Sequence, residues 1–325
     1  MQRDSIYDIM KGIGILAVIA GHSVGQLTLI DISMRKLIYS FHMPMFFIIA
    51  GYFYKENDNL WKKLKKDYKR LVIPYITTSS AFLIYQMLTD NSFWYSYKYI
   101  LIAILWGTGE MHTSTIWPNI PHIGAIWFLL ALFWCRTIFN IIVIHTIKPY
   151  IVTIIVAILA TFLDSYIINL PLCILPGLSA MSYYLIGHCI SQFKINNLEI
   201  IICATCWIIH LLYSRIDMCI CLYKCYPIDV LGTTFGAILV YIISKKLSYL
   251  SFSRYLSKLG QISLLILCFH TLENNIIKYD SIQFIHDNWI ALFIFRATLC
   301  ISLTSFWIVS FNYTKSIKIP YENNL

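Results

Sequence analysis

Apolar residues along this chain fall into blocks of roughly 15 to 24 residues separated by short polar breaks. A helix needs about 20 mostly apolar residues to cross a bilayer. Ten spans are predicted, at about 8–28, 36–54, 71–89, 122–145, 150–168, 172–192, 198–213, 227–244, 259–278 and 288–311. The run 93–107 is apolar and aromatic but short, and reads as an interfacial or re-entrant piece of a long loop. Gly21, His22 and Ser23 interrupt the first block and further spans follow, so it is expected to remain as a helix and not to be removed as a signal peptide. No tandem repeat, low-complexity tract or shift in composition marks a second domain, so residues 1–325 read as a single transmembrane domain. The charged tail from Lys315 to Leu325 is too short to fold alone.

Composition agrees with the pattern. The chain is 58% hydrophobic and 13% charged, with a mean hydropathy of +0.68, whereas a soluble domain carries about a quarter charged residues. An all-α polytopic membrane protein is expected. The net charge of +9 matters through its placement. The break from Lys55 to Arg70 also holds Lys62, Lys63, Lys65, Lys66 and Lys69, and the break at 245–258 holds Lys245, Lys246, Arg254 and Lys258. The loop 165–171 has no Lys or Arg, and 90–121 has only Lys98. Positive loops stay cytoplasmic, which predicts an N-in, C-in protein of the plasma (bacterial inner) membrane, with Lys315 and Lys318 returned to the inner side. Of the ten cysteines, Cys135, Cys173, Cys189, Cys203, Cys206, Cys268 and Cys300 lie in apolar runs and read as small buried hydrophobes. Cys203 and Cys206 have no ligand partners nearby, so no metal site is expected. Cys219, Cys221 and Cys225 share one loop and could pair if it faces an oxidising space.

Chemistry enters with the histidines. His22 and His42 lie inside apolar blocks, and ionisable groups in membrane spans are costly and mark functional sites. With the N-terminus inside, Lys11 sits near the cytoplasmic face and His22 roughly 16 Å further out at 1.5 Å per residue. His42, six residues into a helix running back, should lie at about the same level. Arg70 belongs at the inner edge. His270 and Glu273 share a helix face at i, i+3, as a structural contact or a site pair. His42 could act directly, orient His22 or brace a kink at Phe41–Pro44; Pro44 breaks the helix and frees backbone groups to line a cavity. Trp127 reads as an interfacial anchor or as part of a donor site. His145, His188 and His210 read as structural. His112, His122 and His286 fall in or beside outer loops, where Glu110 with His112 could touch an acceptor.

KGIGILAVIAGH, FHMPMFFIIAGYF, KRLVIPY, IWFLLALF and LGQISLLILCFH resemble the membrane-bound acyltransferase 3 family, most closely its fucose and exopolysaccharide O-acetyltransferase branch. The likeness runs from Arg3 to about His270 and is most specific in the first two spans. It implies about ten spans and transfer of an acyl group, usually acetyl, from cytoplasmic acyl-CoA to a sugar hydroxyl. The family's first-helix motif, a basic residue followed at a fixed distance by an essential histidine, falls here on Lys11 and His22. Many members have arginine at the basic position; lysine keeps the phosphate attraction but loses bidentate geometry. Acyl transfer to a hydroxyl needs a proton acceptor, and histidine suits that task. His22 and His42 are therefore the catalytic candidates, and Lys11, Arg70 and Trp127 the donor-binding ones. The Lys62–Lys69 cluster reads equally as a topology determinant or as a phosphate attractor. Acetyl-CoA is expected as a co-substrate, with no permanently bound cofactor. The partners expected are this acyl-CoA donor, a carbohydrate acceptor, the lipid bilayer, and either a second copy of the chain or a polysaccharide-assembly complex, with no nucleic acid among them. A transporter or flippase for a sugar or lipid-linked saccharide is the rival reading. It would show paired interrupted helices in corresponding halves, and the sequence shows one such break, at His42–Pro44. A non-enzymatic sensor or scaffold of polysaccharide assembly is a third.

Overall fold

The computed structural model describes residues 5–25, 28–56, 59–89, 93–111, 116, 119–190, 197–277, 279 and 288–310. It is all-helical, with no strand among the described residues. In chain order the helices are α1 (Ser5–Ser23), α2 (Leu29–Tyr39), α3 (His42–Tyr52), α4 (Leu60–Asp67), α5 (Ile73–Thr89), α6 (Phe93–Trp106), α7 (Trp127–His145), α8 (Pro149–Tyr166), α9 (Ile174–Ser179), α10 (Met181–Ile190), α11 (Asn197–Tyr213), α12 (Tyr226–Leu247), α13 (Ser253–Gln261), α14 (Ser263–Ile276) and α15 (Trp289–Ser310). Six stretches among the described residues are long and apolar enough to cross a membrane: α1, Leu60–Thr89, α7, α8, α12 and α15. Two bent pairs bring the number to eight if each is one span: Pro171–Ser179 with α10, at 44°, and α13 with α14, at 72°. The chain is a multi-pass membrane protein.

The expected span 198–213 coincides with α11, whereas the expected span 36–54 is not one helix. Residues 36–54 are divided between α2 and α3, with Ser40 and Phe41 between them. Local chemistry accounts for the division. Thr28 starts α2 with a capping box, its hydroxyl accepting from Asp31 N at 3.1 Å while the Asp31 carboxylate accepts from Thr28 N at 3.1 Å. Pro44 cannot continue that helix, because its ring would meet the carbonyl four residues back, at Ser40. In the first turn of a new helix its missing N–H costs nothing, so α3 opens at His42. The expected span 71–89 begins earlier, as a helix from Leu60. Asn59 caps it by accepting from Trp61 N at 2.9 Å, and a π-helical turn at Tyr68–Val72 joins α4 to α5.

Close backbone approach holds the centre together. A Cβ on Gly12 would lie 2.2 Å from the Leu256 carbonyl oxygen, and one on Gly260 would lie 1.7 Å from that of Asp8. Only glycine lets α13 cross α1 at this distance. Glycines Gly51 and Gly187 do the same for α3 and α10. Such small-residue contacts are the usual means of helix packing in lipid, where burial of apolar surface drives little association.

Tyr7 stacks on Tyr52 and Tyr241 and Lys63 lies over the Tyr54 ring, so the start of α1 with Lys11, the α4 lysines and the end of α12 with Lys245 and Lys246 share one end of the bundle, which we call the basic end. Two links tie helices together there: Arg136 Nε donates to Asp67 Oδ2 at 2.8 Å, and Tyr54 Oη to Asn140 Oδ1 at 2.8 Å. At the other end the connection between α11 and α12 folds inward, with an antiparallel bridge between Asp217 and Leu222. All ten cysteines are free, including Cys219, Cys221 and Cys225. His112, His286 and the tail from Lys315 lie outside the described residues.

Candidate active site

A cavity of about 230 Å³ runs through the middle of the bundle. Helix α1 lines it with Lys11, Ile15, Val18 and His22, which recur at intervals of four, three and four and therefore share one helix face. Helix α3 adds His42, Met43, Phe46 and Ile49; α7 adds Trp127, Phe128, Leu132 and Arg136; α14 adds Ser263, Leu264 and Leu267. Lys11, Arg136 and Ser263 are its polar residues at the basic end. His22, His42, Tyr39, Glu110 and Asp217 are those at the far end, and the walls between are apolar.

Each histidine at the far end is held differently. The Nδ1 of His42 lies 2.8 Å from the Ile38 carbonyl. A carbonyl only accepts, so Nδ1 carries the hydrogen and the lone pair of the neutral ring sits on Nε2. His22 packs its ring against that of His270, with centroids 5.2 Å apart. His270 Nδ1 lies 2.7 Å from Glu273 Oε1, which also accepts from Arg296 Nε at 2.9 Å. Arg296 donates through Nη1 to the backbone carbonyl of His22 at 2.6 Å and through Nη2 to Asn274. The Tyr279 hydroxyl donates to Glu273 Oε2. His270, Glu273 and Cys300 have ligand atoms within 4.8 Å of one another, the spacing of a metal site. The guanidinium of Arg296 already neutralises that carboxylate, so the cluster reads as a buried ion pair.

Beside the histidines stand two carboxylates. Glu110 pairs with Arg35, and Asp217 Oδ1 accepts from Cys219 N at 3.2 Å and Cys219 Sγ at 3.0 Å. Burial, and then the charge of Glu110, push the Asp217 carboxyl up to about 6.

Of the residues singled out from sequence, Lys11, His22, His42 and Trp127 line this one cavity, and Arg70 does not. Arg70 falls in the π-helical turn and stays at the basic end off the cavity wall. Arg136 stands on the wall. Trp127 is 6% exposed, so it is buried in protein and not displayed to a lipid interface. His210 Nε2 sits 3.1 Å from Asp229 Oδ1, away from the cavity, and His188 lies near Tyr150 and Glu56.

A protein-family model described as an acyltransferase domain, of the acyltransferase 3 type, matches residues 4–310. The chain belongs to that family. No curated protein and no solved structure matches it. The family match takes in α15, beyond the motif likeness that ends near His270, and so includes Arg296. Of the residues that line or brace the site of this membrane acyltransferase, Arg136, Asp217 and Arg296 escaped the sequence reading, as did Tyr39. A signal existed for two of them. Arg136 and Arg296 are each the one Asp, Glu, Lys or Arg of an otherwise apolar span, a pattern that points to a bundle interior. Asp217 lies in a connecting loop, where an acidic residue is ordinary and gives no warning.

Proposed function

We propose that this membrane acyltransferase moves an acetyl group from acetyl-CoA to a hydroxyl of a sugar or surface polysaccharide. The observation that carries the reading is the single cavity whose walls run from Lys11 and Arg136 to His22 and His42. At about 230 Å³ it is smaller than the 300–1,000 Å³ usual for drug-sized ligands. It suits the thin acyl-pantetheine arm and leaves the nucleotide outside. The nucleotide phosphates then meet Lys11, Arg136, Arg70 and the α4 lysines at the basic end, where charge-assisted contacts are strong. The arm lies along the α1 face, beside Trp127, and its thioester reaches the level of the histidines. The positive-inside rule places the basic end in the cytoplasm, so the donor enters from within and the acceptor is modified towards the outer side.

In the transfer, a ring nitrogen of His22, with His42 beside it, takes the proton of the acceptor hydroxyl. The oxygen attacks the thioester carbonyl, the carbon–sulfur bond breaks, and the imidazolium returns the proton to the leaving CoA sulfur. The products are an O-acetyl ester and free CoA. Glu110, Asp217 and Tyr39 offer the acceptor polar groups at the same end.

The test is transfer of labelled acetyl from acetyl-CoA into carbohydrate by membrane vesicles containing the protein, together with the O-acetyl content of surface glycans in a deletion strain. Donor-dependent labelling that is absent from His22→Ala vesicles is the expected result. Vesicles that move saccharide without consuming acetyl-CoA would overturn the reading in favour of a transporter.

A further inference from the structure

Three donors converge on Glu273: His270 Nδ1, Arg296 Nε and the Tyr279 hydroxyl. An ionised carboxylate accepts only, so His270 keeps its hydrogen on Nδ1 and its lone pair on Nε2. That Nε2 is buried and has no hydrogen-bond partner among the described residues, a condition that costs free energy unless a donor is supplied. The polar ring packed beside it is His22, at 5.2 Å between centroids. Arg296 Nη1 meanwhile holds the backbone of His22 at 2.6 Å, which fixes the end of α1 against this group.

We propose that His270 is a positioning residue: its Nε2 accepts the ring N–H of His22, so that the other ring nitrogen of His22 presents its lone pair to the cavity. Arg296 and Glu273 set the tautomer of His270, and His270 sets that of His22. The device extends the general arrangement in which a working imidazole is oriented by the group bound to its other nitrogen. It couples α15 and α14 to α1 at the reacting end of the cavity. The proposal rests on His22 acting in acyl transfer, and it separates from that reading because the nucleophilicity of His22 can be measured without any acyl donor.

Two variants distinguish positioning from packing. In His270→Asn the amide can still donate to Glu273 but is too short to reach His22. In His270→Gln the longer side chain can set its carbonyl oxygen where Nε2 was. The purified variants are compared with the wild type in detergent, with melting temperature and acetyl-CoA affinity as controls for folding. The first readout is the rate of His22 carbethoxylation by diethylpyrocarbonate, located by mass spectrometry. The second is kcat and KM for acetyl transfer. His270→Asn is expected to slow both His22 modification and kcat by roughly 10- to 100-fold, the usual loss when an orienting partner is removed, with KM for acetyl-CoA unchanged. His270→Gln is expected to recover most of both rates. A packing role predicts the opposite order, because asparagine keeps the bond to Glu273. Wild-type rates in His270→Asn, or equal loss in folded His270→Asn and His270→Gln, would overturn the proposal. A wild type that ignores acetyl-CoA would sink the functional reading, while the carbethoxylation comparison would still decide the role of His270.

Discussion

At the scale of the residue, the two cavity histidines differ in what orients them. His42 gives its Nδ1 hydrogen to the end of α2, at Ile38, whereas His22 leans on a side chain from another helix. His22→Ala is expected to lower kcat by about 100- to 10,000-fold, the range for a lost general base, while acetyl-CoA binding survives. His42→Ala should cost less if it only assists. A double variant no worse than His22→Ala alone would mean that the two act as one unit. Steady-state transfer in vesicles reads all three. Asp217 gives a stability prediction. Its folded carboxyl is raised to about 6 by burial and Glu110, so the folded protein holds this proton more tightly than the unfolded chain. That contribution to stability is fully present below the unfolded value and is lost as pH rises towards 6. Asp217→Asn, which can still accept from Cys219 N, should therefore raise the melting temperature at pH 7.5. The gain is on the order of 1–3 kcal/mol and should vanish near pH 4. A thermal melt at the two pH values checks it, and an equal gain at both would point to some other cause.

At the scale of the element, α1 carries the site because one of its faces is shared by Lys11, Ile15, Val18 and His22. Lys11→Met and Arg136→Met should each weaken acetyl-CoA binding, and the difference from wild type should shrink in high salt, where phosphate attraction is screened. Equilibrium binding across a salt series measures this. Unchanged affinity in both variants would confine these residues to packing. Arg136→Met should also lower the melting temperature, because it leaves the buried Asp67 carboxylate without its partner at 2.8 Å. Gly12 faces the carbonyl of Leu256 so closely that Gly12→Val must push α13 off α1. Overpacking of this kind costs about 1–3 kcal/mol or more, and a melting shift in detergent reads it.

At the scale of the whole molecule, the short helices matter as much as the long ones. Helix α3 has 11 residues, about 16 Å at 1.5 Å per residue, against about 30 Å of hydrocarbon. It cannot span alone. His42, Met45, Phe47, Ile48 and Gly51 are all buried, so its ends are covered by protein, the condition under which broken helices are tolerated at membrane depth. If the basic end is cytoplasmic, a cysteine replacing Lys246 should resist an impermeant thiol reagent in intact cells. One replacing Leu222, on the connection between α11 and α12, should react, with the site of labelling read by mass spectrometry. Labelling at position 246 from outside would reverse the direction of donor entry.

The hydropathy blocks by themselves determined an all-α membrane protein, because the need to satisfy every backbone group in lipid leaves a helix as the local answer wherever about 20 apolar residues run together. The spacing from Lys11 to His22 along the first helix was legible too, since helical rise is a local property, and so was the break at Pro44. Arg70 shows the limit: its charge placed it at the basic end, but a π-helical turn and the position of α7 decided that Arg136 takes the cavity wall. The union of His22, His270, Glu273 and Arg296 lay further out of reach. It joins residues from α1, α14 and α15, and their meeting depends on the bend between α13 and α14 and on glycine contacts that let α13 cross α1. Those are properties of packing between distant segments, which no local pattern encodes.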